Sequence, residues 1–207
     1  EKEIYLDEKI TDENTSLQKL LHNLMRDFDL HKAHKAGAIF NIEKLNWYNQ
    51  FYIKQLSDNL LLEKCRPYLP ENTGNFSDAQ IIKMLNLEKE RAKTLAEIGD
   101  GVKFFFGEPS YEKELLQWKN TPPNELKDAL QRAYDIMENI FDADFNKENL
   151  QNLLMPEAEK LTNRGIMLWP LRAALSGLKA SPGPFEIAEI LRKEKCLQRI
   201  EEAIKLL

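Results

Sequence analysis

The sequence predicts an all-α protein built as tandem helical bundles. Three observations carry that expectation. Apolar residues recur at steps of three and four in nearly every segment. No alternating run is long enough to build a sheet. Ser, Asp or Asn precedes many of the apolar runs, and Pro or Gly punctuates their ends. No internal repeat is visible.

The elements follow in order. After Asn14-Thr15-Ser16, the residues Leu17, Leu20, Leu21, Leu24, Met25 and Phe28 mark an amphipathic helix. Residues 29–41 read as a polar connection carrying His31 and His34. Asn41 is placed to cap a helix from 42 to about 56, with Leu45, Tyr48, Tyr52 and Leu56 on one side. Ser57-Asp58 caps another, which carries Leu60, Leu61 and Leu62 and ends before Pro67. Residues 70–75 read as a loop. Ser77-Asp78 then caps a helix bearing Ile81, Ile82 and Leu85 that continues to Lys89. Thr94 opens a short helix ending at Gly99. Gly99-Asp100-Gly101 reads as a turn and 102–106 as a brief extended piece. Residues 107–110 are the best domain boundary.

In the second half, Pro122-Pro123 opens a helix with Leu126, Leu130, Ala133, Met137 and Phe141 on its apolar face. Asn146 caps the next, with Leu150, Leu153, Leu154 and Met155; Pro156 is expected to kink or restart it. The stretch 165–191 reads as helix, tight loop, helix. Leu168, Leu171, Leu175 and Leu178 line one face, Pro170 lies near the first turn, and Gly177 is placed to stop the helix. Ser181-Pro182-Gly183-Pro184 has little freedom to be regular structure, and Pro184 restarts a helix at its first position. Arg172 lies about 100° from Leu171 and about 60° from Leu175 on a helical wheel, so it flanks the buried stripe. A final helix spans about 194–206.

Composition narrows the function classes. With 207 residues, 43% hydrophobic and 30% charged, the chain suits one or two domains with ordinary cores. It begins at Glu1 rather than Met, as a fragment would. It has no apolar run of membrane-span length and no basic-then-apolar leader. Two lone cysteines, Cys65 and Cys196, read as reduced residues of a cytoplasmic protein. A net charge of −5 argues against sequence-blind nucleic-acid binding. The balance is uneven, however. Residues 161–207 hold 8 Lys/Arg against 5 Asp/Glu, while 1–160 hold 21 against 29. A basic end on an acidic body suits a local RNA contact, but it is equally common in proteins that bind no RNA.

Catalytic and metal signatures are missing. His31 and His34 would need further ligands at fixed spacing to hold a metal, so a solvated loop is the better reading. His22 reads as a surface or boundary residue of its helix. Carboxylates are scattered over exposed helix faces, and no acid/base pair stands out. No nucleophile motif is present, and Gly99-Asp100-Gly101 lacks the lysine and Ser/Thr of a phosphate loop. Two tryptophans could stack on bases. The core reading is preferred for Trp47. For Trp169, beside Pro170 and Arg172, both readings stand.

Three ordered motifs resemble one family. They are W-P-L-R-A-A-L-S-G over 169–177 followed by S-P-G-P-F-E over 181–186, K-A-G-A-I-F-N-I-E-K-L-N-W-Y-N over 35–49, and R-A-K-T-L-A-E-I over 91–98. This pattern resembles the C-terminal anticodon-binding region of bacterial glutamyl-tRNA synthetases, from about residue 27 to the end. The resemblance implies an all-α chain with the end of a stem-contact domain (1–57) and two anticodon-binding subdomains (58–108 and 109–207). It implies that Arg91 contacts the last anticodon base and that Arg172 is the second base-reading arginine. Trp169, Ser181, Pro182 and Pro184 would shape the pocket, the prolines stiffening a loop that then loses little entropy on binding. The implied partner is tRNA-Glu, with neither DNA nor a membrane, and the implied state is a monomer in the cytoplasm. The two ATP-handling signatures of the full-length family do not occur in this chain. ATP and magnesium are therefore implied for the whole enzyme, no cofactor is expected in this segment, and the segment alone is expected to be inactive. The family usually has Gly where this chain has Arg192, which predicts a more continuous join between the last two helices. The competing reading from another class is a helical adaptor that binds protein, which fits the fold equally well.

Overall fold

The computed structural model describes residues 13–29, 39–74 and 76–207, and among them the regular structure is helical throughout. His31, His34 and residues 35–38 of the second motif lie outside the described residues. The chain divides after Asn41. In the first unit, helix α1 (Glu13–Asp27) begins earlier than expected and takes in Asn14, Thr15 and Ser16. It leaves His22, Leu21, Leu24 and Met25 exposed.

Residues 42–207 form one compact unit, so the expected boundaries near 57 and 108 both fall inside it. Its first half contains α2 (Ile42–Gln55), α3 (Asp58–Cys65), α4 (Asp78–Lys89) and α5 (Leu95–Val102). Helix α4 starts with a reciprocal capping box: the Ser77 hydroxyl accepts from Gln80 N–H, and the Gln80 side chain accepts from Ser77 N–H. Thr94 caps α5 by accepting from Glu97 N–H at 3.1 Å. Leu61, Leu62, Ile81, Leu85, Ile98 and Phe105 are buried where α3, α4 and α5 meet.

Helix α5 corrects the sequence reading. It does not turn at Gly99; it runs on to Val102, and a 3-10 turn (Lys103–Phe105) replaces the expected extended piece. The two glycines serve close approach. A Cβ on Gly99 would stand 2.5 Å from Tyr68 Cβ and 2.7 Å from the Tyr68 carbonyl oxygen, and one on Gly101 would stand 2.8 Å from Glu88 Cδ. Glycine here lets α5 press against its neighbours.

Trp47 also departs from expectation. It is 60% exposed and stacks on Phe51 with centroids 5.9 Å apart. Only Ile53 of α2 is buried. The helix is tied to the α4–α5 connection by polar contacts instead: the Asn49 amide donates to Lys93 O at 2.7 Å, and Lys54 pairs with Glu90 at 2.9 Å. An apolar period marked the helix, but its aromatics do not face the core of this unit.

The second half contains α6 (Pro123–Glu138), α7 (Lys147–Glu159), α8 (Gly165–Ser176) and α9 (Pro184–Leu206). Helix α8 packs on both α6 and α9, and α7 lies against α9. Phe141 falls beyond the end of α6 and is exposed. Pro156 does not restart α7, which continues through it on an exposed face where water can reach the freed carbonyl. Pro170 is buried in the interior of α8 rather than in its first turn. Gly177 ends α8 in the left-handed conformation (φ 66°) as expected. Cys65 and Cys196 are both buried free thiols, and burial pushes the Cys65 thiol up to about 11.

Arg192 overturns the expected continuous join. Its backbone is at φ 69°, ψ 167°, so α9 is two helical segments meeting at a break. The conformation is one that glycine adopts freely and other residues rarely do. Arginine stands in it with its side chain exposed.

Buried Arg199 joins the two halves of this unit. Its guanidinium donates to Leu175 O at 2.5 Å, to Phe104 O at 2.9 Å and to Gly107 O at 2.7 Å. Glu108 lies 3.5 Å from its Nε. The 107–110 stretch is therefore clasped against α8 and α9.

Candidate nucleic-acid interface

The site grows from α8 and the turn that follows it. Trp169 and Arg172 are three residues apart on α8, so they are neighbours on the helix surface. The Trp169 indole N–H donates to Leu115 O at 3.0 Å, and its ring packs 5.4 Å from that of Trp118. The Arg172 guanidinium lies over the Trp169 ring, 4.6 Å from the centroid, a cation–π arrangement. The indole is thus fixed at its N–H edge and supports the arginine on one face.

Arg172 then reaches across the turn. Its Nη1 donates to Ser181 Oγ at 2.8 Å and to Leu178 O at 3.4 Å, and its Nη2 donates to Lys179 O at 3.0 Å. Ser176 adds a local tie: its hydroxyl donates to Arg172 O at 2.8 Å and accepts from Leu178 N–H at 3.2 Å. Pro182 is buried and Pro184 is the first residue of α9, both half or more out of solvent. The structure thus brings together Arg172, Trp169 and Ser181, with Pro182 and Pro184 in the same turn. Arg172 spends part of its donor fork on holding that turn, a role that the wheel position alone did not suggest.

Arg91 comes from the other half, just past the C-terminal end of α4. Burial pushes the Arg172 guanidinium below the ordinary arginine range, and the like charge of Arg91 pushes it further the same way. Two positive groups therefore share one neighbourhood. Arg91 is exposed, and its Nη1 lies 3.4 Å from Glu88 Oε1. Glu88 is only 6% exposed, and its carboxyl is raised above the ordinary carboxylate range by burial, against the opposing pull of Arg91.

Sequence reasoning missed Glu88, Ser176 and Arg199. Glu88 had a signal, since an acid in the last turn of a helix can pair with an arginine three residues on, just past the helix end. Arg199 had none, because its carbonyl partners lie up to 95 residues away. Among the described residues no group of three or more His, Cys, Asp or Glu is arranged to hold a metal ion, and no helix is long and apolar enough to cross a membrane.

A guanidinium on a fixed indole beside a proline-stiffened turn, with the charge of a second arginine acting on it, is chemistry of the kind that suits splayed bases and phosphates. Comparison with known proteins gives the family. Residues 60–204 match the family model described as anticodon binding domain. The chain belongs to that family, which decides against the adaptor reading.

Two curated relatives are the glutamate–tRNA ligases of Clostridium tetani, 36% identical over 192 residues, and of Clostridium acetobutylicum, 32% identical over 191. Each match takes in 90% of this chain but only 38% and 39% of the relative. A crystal structure of a glutamate tRNA ligase from Elizabethkingia meningosepticum, in complex with its amino acid, superposes with a TM-score of 0.75 at 32% identity. That match covers 90% of this chain and 37% of the other. Glutamate-tRNA synthetase from Elizabethkingia anophelis gives 0.71 at 31% identity, covering 89% and 36%. The chain spans under two fifths of these relatives' length and corresponds to their C-terminal part.

Proposed function

We propose that this chain recognises the anticodon of tRNA-Glu as the C-terminal, non-catalytic part of a glutamate–tRNA ligase. The observation that carries the reading is Arg172 fixed over Trp169 and against Ser181, with Arg91 from the other half of the same compact unit near enough for its charge to act on it. Arg172 is already held by Trp169 and Ser181, so little side-chain entropy remains to be lost on binding. Glutamate activation with ATP and magnesium belongs to the remainder of the ligase. The chain acts as a monomer in the cytoplasm, and its partner is tRNA rather than DNA or a membrane.

Arg91 supplies the choice between tRNAs. The glutamate and glutamine anticodons share a middle uridine and end in C and G respectively. Arginine donates to the O2 and N3 acceptors of cytosine, whereas guanine presents N1–H and N2–H, setting donors against donors. Glutamine offers both a donor and an acceptor, so Arg91→Gln admits tRNA-Gln and narrows the preference. The test is titration of parent and variant with both tRNAs at one fixed salt, because phosphate contacts make affinity salt-dependent. Equal binding of the two tRNAs by the parent, or full discrimination by the variant, would assign Arg91 to structure or phosphate contact instead.

A further inference from the structure

Glu88 is a carboxylate in an unusual position. It is 6% exposed, on a helix whose other buried residues, Ile81, Met84 and Leu85, are apolar. Burial raises its carboxyl above the ordinary range, so keeping it charged costs stability. A residue needed only for packing would be better apolar at this position. Its charged partner is Arg91, through a single Oε1···Nη1 approach of 3.4 Å. That approach engages one terminal nitrogen of the guanidinium.

The surroundings hold Glu88 in place. Gly101 of α5 lies so close that a Cβ there would stand 2.8 Å from Glu88 Cδ and 2.9 Å from Cγ. The carboxyl group therefore occupies the space that a side chain at 101 would fill. Arg91, by contrast, is a long exposed side chain with the like charge of Arg172 in its neighbourhood. Repulsion between the two guanidiniums favours rotamers that carry Arg91 away, and an exposed arginine has many of them. A fixed negative charge beneath it opposes both effects.

We propose that Glu88, held by Gly101, is the positioning residue that fixes the Arg91 guanidinium and thereby sets discrimination at the last anticodon base. The inference rests on the base-reading role of Arg91. Glu88 does not touch the RNA; it acts through Arg91. Gln is close to Glu in shape, so Glu88→Gln keeps the contact with Gly101 and removes the charge. Burial makes that charge costly, so Glu88→Gln is expected to unfold at or above the parent's temperature.

The experiment is a double-mutant cycle on the full 207-residue chain, titrated with tRNA-Glu and tRNA-Gln at one salt. Glu88→Gln should lower the tRNA-Glu to tRNA-Gln affinity ratio by about fivefold or more, and it should have no further effect in the Arg91→Gln background. Gly101→Ala, which displaces the carboxyl while adding a good helix former, should lower the ratio in the same direction. If Arg91→Gln changes the ratio while Glu88→Gln leaves it alone, or if the Glu88→Gln effect persists without Arg91, the positioning role is overturned and the base-reading role stands. If the parent shows no preference, both fall together.

Discussion

Arg192 offers a test that is independent of RNA. Its backbone sits at φ 69°, ψ 167°, inside what is otherwise helix α9. Holding a non-glycine residue in such a region costs about 1–3 kcal/mol. Arg192→Gly removes that cost but adds freedom to the unfolded chain, worth about 0.4–1 kcal/mol in the opposite direction. The Arg192 side chain is exposed, so little packing is lost. The balance is a gain of about 0.5–2 kcal/mol. For a chain of this size each kcal/mol moves the midpoint by about 2–4 °C, giving a rise of about 1–8 °C. Thermal melts followed by far-ultraviolet circular dichroism, with urea titrations to confirm an unchanged slope, are the assay. Arg192→Ala is the control, since it removes the side chain and keeps the strain, and its midpoint should stay near the parent's. A glycine variant no more stable than the parent would refute the reasoning. So would an alanine variant that rises as far as glycine does.

Three further outcomes are expected. Arg172→Ala should weaken tRNA-Glu binding by an amount equivalent to about 1–3 kcal/mol, by analogy with other bidentate base contacts, while the main thermal transition survives. Because Arg172 also holds Ser181 and two carbonyls of the turn, hydrogen exchange at 178–181 should speed up in the same variant. The purified chain should show no glutamate-dependent ATP–pyrophosphate exchange, measured after removal of any full-length enzyme; activity that persists would overturn its placement in the non-catalytic part. Arg199→Met should lower stability by about 3–5 kcal/mol in denaturant melts, because the buried carbonyls of Leu175 and Phe104 and the part-buried one of Gly107 lose their donor.

Most of the helices were legible because they depend on local order. Ser77, Thr94 and Asn146 each accept a backbone N–H three residues ahead, so their caps could be found within four residues of sequence. The misreadings share a different cause. Glycine marks a turn where φ must be positive and a close approach where a neighbour leaves no room, and sequence does not separate the two. Gly177 meets both conditions, with φ 66° and an added Cβ 2.6 Å from Pro109 Cβ, while Gly99 and Gly101 meet only the second. Trp47 failed for a related reason. Its period established the helix but not which surface that helix would face.

The same distinction divides the site. Arg172 was legible together with Ser181, because nine residues and one tight turn connect them. The ties that hold Glu88 and join the two halves of the unit are longer in sequence. Glu88 is packed by Gly101 from another helix, and Arg199 on α9 grips carbonyls at 104 and 107 that follow α5, as well as Leu175 on α8. A guanidinium that is to choose one base over another must be held within a narrow range of positions, and a flexible side chain at a helix end does not meet that demand alone. The motifs point to residues with donors to offer. The groups that hold them still could not be read from motifs, because they belong to the meeting of two halves of the fold. Under the proposed roles, a loss of discrimination without a loss of affinity is the signature of damage at Glu88 or Gly101. A loss of affinity for both tRNAs belongs to the contacts themselves.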